Sequence, residues 1–480
     1  MAETPLQMTE RLYGKLQRRR PNAEKWSRAY EGDRPLLFVS PEFSTQTGGL
    51  FDEFSDNWCA VVPDATVERL MPLGFRLEDG SIDKDAGKAW RRSECDVEIG
   101  LALLEALITG RSYALVWNNS SGVEITFQHA SGAIVEYVPG RRRLRKAGLM
   151  TWKDHDTEFA TLFTPTMVYR WQRPTREGGR WTGRTAGLSR GEPSHIPNPL
   201  GVVPLVELPN RSRLHGKPRS EIATVLPLQD AVNTLWAHLM TASDGLALPA
   251  RAVLGMDRPV REILDPETGE VVGEEDLPLD KFRSDRLLWL EKQGAQIAEF
   301  SAANLDNYLR VIAVAVEHIA AQTRTPPSYL AGKLVNVSPD GFAASEAGLI
   351  AKVSEMHRHF GSALREVMRL EALAQGEARR AESLALGSVV WRDPQFRSDA
   401  QYSDALVKLK SIGVPDEALW ERIPGVTPDE IERWKTMRTD AAGAILGGNV
   451  AELFGPKPGS SEDDDQADDD ASEEPFVGAA

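Results

Sequence analysis

The apolar positions of this chain recur with helical spacing most clearly between residues 304 and 373. Leu305, Leu309, Ile312, Val316 and Ile319 follow at i, i+4, i+7, i+11 and i+14, the stripe of an amphipathic helix with Asn304 as its N-cap. Pro326 and Pro327 end it, because proline lacks the amide donor and pushes its predecessor out of helical geometry. A second run at 345–371 puts Leu349, Val353, Met356, Phe360, Leu364 and Val367 on one side, with Lys352, Glu355, Arg358, Arg365, Glu366 and Arg369 at other positions. Such a helix is about 40 Å long, more than the globular average. Between the two runs, 330–343 is a loop punctuated by Gly and Pro, at the upper end of ordinary connections.

The same patterning maps the rest of the chain. Helices are predicted at 1–35 with a break at Pro21, at 57–70, 83–109 and 219–243, then at 399–411 and 415–423. A capping box from Thr427 to Glu430 opens a last helix reaching about 439. Alternation predicts an edge strand at 74–77 and strands at 112–117, 124–129, 133–138, 147–154, 158–164 and 167–172. Residues 110–210 are therefore β-rich, with 175–198 an exposed loop of Gly, Arg, Pro and Ser. Residues 249–300, broken by Pro259, Pro266 and Pro278, form a small β or α+β insertion between two helices. The fold class is α+β.

Composition narrows the function. A 41% hydrophobic content and a mean hydropathy of −0.35 are those of a soluble globular protein with enough chain for several domains. No apolar run is long enough to span a membrane, and the opening residues are too polar for a signal peptide. Cys59 and Cys95 make neither a metal cluster nor a disulfide framework, which fits cytoplasmic folding with reduced thiols. The net charge of −15 is concentrated at the end: 456–480 holds nine acids against Lys457 alone. That tail is too polar to support a core and is expected to be disordered. The rest is mildly acidic, unlike a sequence-specific DNA binder with a strong basic face.

Candidate chemistry is thin. His357 and His359 are two apart and point in different directions on a helix, so no metal site is assigned. His129 and His155 lie in the strand region with no evident nucleophile, and no glycine cluster fits a phosphate or dinucleotide loop. No catalytic, cofactor-binding or metal residue is assigned. The strongest positive feature is the run Arg141, Arg142, Arg143, Leu144, Arg145, Lys146. It is either a solvated turn or a contact with a partner subunit or nucleic acid, and Arg18 to Arg20 carry the same two readings.

Several phrases in order then carry a resemblance: Asn57-Trp58-Cys59, Pro227-Leu228-Gln229-Asp230-Ala231-Val232-Asn233, Asn307-Tyr308-Leu309, Thr323-Arg324-Thr325-Pro326-Pro327-Ser328-Tyr329-Leu330 and Ser345-Glu346-Ala347-Gly348-Leu349. Over residues 5–440 the chain resembles the SPP1-type portal proteins of tailed bacteriophages, in the version common in phages of actinobacteria. The resemblance implies a portal fold: a β-containing wing at 1–215, stem helices at 216–248 and 304–324, and a clip at 249–303. It further implies a tunnel loop at 325–344, a long helix and return to the wing at 345–392, a helical crown at 393–455 and the acidic tail at 456–480. Lys333, Asn336, Ser338 and Asp340 become candidate tunnel-loop residues; Arg141, Arg142, Arg143, Arg145 and Lys146 become candidate partner or DNA contacts.

The implied assembly is a homo-oligomeric ring, usually of twelve subunits, at one capsid vertex of the virion and built in the host cytoplasm. Its implied partners are the major capsid protein, scaffolding protein, terminase large subunit, head–tail adaptor and double-stranded DNA passing non-specifically, with no membrane and no cofactor. Two other readings compete: a head-assembly or adaptor protein without a DNA channel, and a nucleic-acid-modifying enzyme built around His129 and His155.

Overall fold

The computed structural model describes residues 3–441 apart from 35–47, 49–55, 120–121, 177–178, 186–192, 215, 248–250, 255–259, 265, 267, 277–286, 291–295, 300–303, 332–338, 396–398, 424 and 428. The fold is α+β, with long helices and small sheets. The chain divides into two compact units, residues 1–402 and 403–480.

In the first unit, helix α1 (Pro5–Glu31) opens on Thr4, whose side chain and that of Gln7 form a reciprocal capping box. Pro21 lies inside α1 and does not end it. The reason is tertiary: Leu12 and Leu16 before the proline are buried on a sheet, and Ala23 and Ala29 after it are buried too, so both halves gain from one continuous axis. Helix α2 (Trp58–Val67) and strand β1 (Pro72–Arg76) follow. The single helix expected at 83–109 is two, α3 (Lys84–Arg92) and α4 (Cys95–Thr109). Glu94 stands between them in the left-handed region at φ 51°, a turn that continuous helical spacing conceals. Gly110 closes α4 at φ 90°; a Cβ there would lie 3.1–3.2 Å from the backbone of Pro218 and Arg219.

The β-rich region forms two sheets. Strands β2 (Arg111–Asn119) and β3 (Gly122–Gln128) pair with β10 (Leu205–Pro209) in the order β10-β2-β3. An antiparallel meander runs through β4 (Ala133–Val138), β5 (Arg141–Asp154), β6 (Thr157–Phe163) and β7 (Met167–Pro174). The segment expected as a loop adds β8 (Thr182–Gly183) and β9 (His195–Pro197), both on β7, and buries Trp181 against α1.

Next come a 3-10 turn at Ile222–Thr224 and helix α5 (Leu226–Ala247). The insertion after α5 is β wherever it is described: β11 (Arg251–Leu254), a hairpin of β12 (Val260–Leu264) and β13 (Val271–Asp276), then β14 (Leu287–Leu290) and β15 (Gln296–Glu299). β11 is central, parallel to β14 and antiparallel to β15. Helix α6 (Leu305–Thr323) begins at Asn304, whose side chain accepts from the Asp306 amide, and ends at Arg324 with φ 56°. It therefore stops before the two prolines; Pro327 instead opens a short helix, α7 (Pro327–Ala331).

Helix α8 (Pro339–Ala374) has 36 residues and is about 54 Å long, well beyond the expected 345–371. Its stripe of Leu349, Val353, Met356, Phe360, Leu364 and Val367 is fully buried, packed with α3, β2, β3 and β10. Helix α9 (Ala378–Leu386) and strand β16 (Ser388–Trp391) return the chain, and β16 pairs with β1. Helix α10 (Asp399–Ser411) leads into the second unit. There α11 (Asp416–Trp420) and a helical stretch at 429–441 are joined by a Trp420–Trp434 edge contact at 6.0 Å and an Arg438–Glu417 ion pair. Thr427 and Glu430 make the expected reciprocal cap, with hydrogen bonds of 2.8 and 3.4 Å.

Candidate functional site

The phrases that are far apart in sequence meet in space. The Trp58 amide donates to Gln229 Oε1 at 2.8 Å, and the Gln229 Nε2 donates to Asn233 Oδ1 at 2.9 Å. Trp58 Nε1 donates to the Leu330 carbonyl at 3.1 Å, while Asn57 Nδ2 holds the Tyr30 carbonyl at 2.6 Å. A polar patch on α5 thus orients the start of α2, which in turn holds the end of α7. Ile312, Val316 and Ile319 of α6 close the apolar side of this node on Cys59, Val62, Val225 and Val232. Pairing these groups matters, because an unpaired polar group, once buried, costs about 1–3 kcal/mol.

One arginine spans the segment expected to be the tunnel loop. Arg69, just beyond α2, pairs with Glu346 at 2.6 Å and donates to the Tyr329 hydroxyl at 3.0 Å and the Pro394 carbonyl at 2.8 Å. Tyr329 precedes 332–338 and Glu346 follows it, so a single guanidinium fixes both flanks. Burial opposes the Arg69 charge, but the bonds from Glu346 and Tyr329 outweigh it and raise the pKa.

A second buried cation joins α8 to the end of α6. Lys352 has no exposed surface; its Nζ donates to the Thr323 carbonyl at 3.0 Å and lies 3.6 Å from Glu221. Glu221 is also gripped by Arg211 at 3.0 Å and by Asn210 Nδ2 at 2.9 Å. Burial lowers the Lys352 pKa to about 8, with Glu221 opposing the shift. Sequence reasoning missed both positions, since a Lys and a Glu among other charges read as surface. The one signal was Lys352 lying next to Val353 on the apolar stripe.

The helix pair carries little positive charge. α5 carries no Lys or Arg, and the exposed side of α6 mixes Asp306, Arg310 and Glu317. Leu309, Val311 and Val314 on α6 are about half exposed (46, 53 and 49%), so Leu309 leaves the predicted buried stripe.

The other predicted residues divide. Lys333, Asn336 and Ser338 lie outside the described residues, while Asp340 stands in the first turn of α8, not in a loop. The basic run is not a turn: it is the start of β5, with irregular register against β4. Arg141, Arg142 and Arg143 are exposed. Arg145 is committed to the fold, bonded to the Val203 carbonyl at 3.0 Å and Glu366 at 2.5 Å, and Lys146 lies 3.8 Å from Glu136. Arg19 and Arg20 are likewise internal, pinning α1 to the Ala133 carbonyl, the Tyr113 hydroxyl and Thr151.

His129 does have a serine partner. Its Nδ1 lies 2.7 Å from Ser131 Oγ and accepts from the Ser131 amide at 3.1 Å, while Nε2 is 3.1 Å from Glu105. The pair sits two residues apart in a tight turn, and the adjacent cavity of about 200 Å³ is lined by Glu105 and His129 but not by Ser131. The His129–Ser131 arrangement caps a turn; the hydroxyl that lines the cavity beside His129 and Glu105 is that of the buried Ser112. Burial pushes the Cys59 and Cys95 thiols up to about 12, so neither is a thiolate near neutral pH. Among the described residues no three His, Cys, Asp or Glu side chains converge as metal ligands, and no helix is long and apolar enough to cross a membrane.

Comparison with known proteins finds the following similarities. Two solved structures cover 80% of this chain at 13% identity: the neck of a native gene transfer agent particle, of whose chain 94% is covered at a TM-score of 0.44, and the neck of an empty particle, 93% at 0.42. The portal protein of Mycobacterium phage D29 is 29% identical over 426 residues, covering 83% of this chain and 82% of its own length. That of Mycobacterium phage L5 is 28% identical over 368 residues, covering 73% and 71%. A family model described as phage portal protein, SPP1 Gp6-like, matches residues 10–444. With the match running through all the elements that build the node, the chain belongs to the SPP1 Gp6-like family of phage portal proteins.

Proposed function

We propose that this chain is the subunit of a closed ring, twelve-fold by the family resemblance, through which double-stranded DNA enters and leaves a phage capsid at one vertex. The observation that carries the reading is the family match over residues 10–444. The geometry supports it in three ways. α5 and α6 form a packed pair joined by a small β insertion, the arrangement of stem and clip. The absence of Lys and Arg from α5 suits a wall past which DNA slides, because tight phosphate neutralisation would hold it. The half-exposed Leu309, Val311 and Val314 are apolar surface for a neighbouring subunit in a head-to-tail interface that closes by rotation.

In this reading residues 1–215 are the wing, 249–303 the clip that docks terminase and later the adaptor, and 393–455 the crown. The chain supplies a conduit and docking platform; ATP hydrolysis belongs to the separate terminase motor. In this reading the tunnel loop at 325–344, which Arg69 holds at Tyr329 and just beyond its end at Glu346, is the channel constriction. Light scattering of the purified chain tests the ring: a mass near twelve times 53.0 kDa is expected, and a mass of one subunit under assembly conditions refutes it. Deletion of 333–338 should then leave the ring mass unchanged and lower packaged-DNA retention. Loss of the ring instead would make that segment a packing element.

A further inference from the structure

The wing carries a groove that the channel does not use. Between the start of β5 and the middle of α8 lies a cleft of about 710 Å³, lined by six arginines and two carboxylates. Arg142, Arg143 and Arg145 come from the strand; Arg358, Arg365 and Arg369 come from the helix. Both carboxylates are already neutralised. Glu366 takes Arg145 at 2.5 Å and Arg369 at 2.7 Å, and Glu207 takes Arg111 at 2.6 Å and the Tyr137 hydroxyl at 3.1 Å. Arg365 reaches, among the described residues, backbone carbonyls alone, those of Gly387 at 3.0 Å and Ala385 at 3.4 Å, which leave its charge uncompensated. Among the described residues no ion pair involves Arg142, Arg143 or Arg358. The cleft is a slot with surplus guanidinium charge on both walls.

Its shape selects the ligand. A cleft of this volume is in the range that encloses small ligands and holds a few residues of extended chain. A DNA duplex presents its phosphates on a convex surface about 20 Å across and cannot enter a slot with cations on two walls. Carboxylates on an extended peptide can, and guanidinium forks pair with them in two-bond geometry. This sequence contains such a peptide: residues 462–474 hold nine Asp or Glu among thirteen.

We propose that the groove between β5 and α8 binds the acidic segment 462–474 of a second copy of this chain, linking neighbouring subunits electrostatically. The second-copy source rests on the ring reading above. The twenty residues at 442–461 allow a reach of at most about 66 Å if fully extended.

The test uses the full chain with the nine tail acids replaced by Asn or Gln and a fluorescently labelled peptide of residues 460–476. Anisotropy should show saturable binding that high salt abolishes and that weakens at least about tenfold in the Arg142→Glu/Arg143→Glu double variant. Both side chains are exposed, so unchanged thermal unfolding should accompany the loss. In the otherwise native chain the same double variant should speed Glu-specific proteolysis of the tail several-fold. No binding, equal binding to the double variant, or displacement of the peptide by duplex DNA at lower concentration than by unlabelled peptide would each overturn the proposal. Ring mass is read separately, so failure of the peptide to bind an intact ring counts against the groove, and failure of the ring counts against the assembly.

Discussion

The two long helices of the central region are finished to different degrees. Among its described residues α8 is complete within one chain: its apolar stripe is fully buried, and it buries Glu346, Lys352 and Glu371 as well, each with a partner. α6 is not. It buries Ile312, Val316 and Ile319 on one side but leaves Leu309, Val311 and Val314 half in water on others. A subunit that spends charged pairs to fix one helix, and leaves apolar surface on its neighbour, is built to be rigid inside and sticky outside. In the proposed ring, α6 would supply the contact and α8 the architecture.

Breaking α8 should cost the most. Arg69→Ala strands Glu346, only 3% exposed at its side chain, without a cation, and the loss expected is about 3–5 kcal/mol in denaturant unfolding at matched protein concentration. A loss below about 1 kcal/mol would show that water replaces the guanidinium and that the clamp does not hold the flanks of 332–338.

Titrating α8 should have a somewhat smaller effect, of the opposite sign. The Lys352 pKa is about 8 folded and 10.5 unfolded, so the unfolded chain binds more protons between those values. Stability should therefore rise with pH from about 8 to 10.5, by about 3 kcal/mol for the full shift. Lys352→Met should flatten that slope. An unchanged slope in the variant would assign the effect to another group.

Altering α6 should cost a subunit almost nothing. Val311→Asp with Val314→Asp should change the subunit's own unfolding by no more than about 0.5 kcal/mol each, because both sites are already half exposed. The same pair should abolish the ring. Were the ring to persist, the exposed face of α6 would not be the subunit contact.

The sequence made this contrast only half visible. The stripes of α6 and α8 and the strands of the meander were legible because burial on one face leaves a period in the residues themselves. The break at Glu94 was not, since helical spacing continues across it and only the backbone turns. Pro21 misled for the opposite reason: tertiary packing on both sides outweighs a local breaker. Charge misled most. Lys352 and Arg145 look like surface residues until a partner from 131 and 221 positions away, respectively, is folded against them. The resembling phrases could be read in order, but nothing in their spacing showed that Trp58, Gln229 and Leu330 touch.

The central claim is that α6 and its neighbours acquire their role only when repeated around an axis. Negative-stain images of the purified chain, viewed along the particle axis, test it most directly. The account predicts closed rings of about twelve subunits around a hole wide enough for a DNA duplex, about 20 Å. A monodisperse field of single subunits, or closed particles with no central opening, would contradict it.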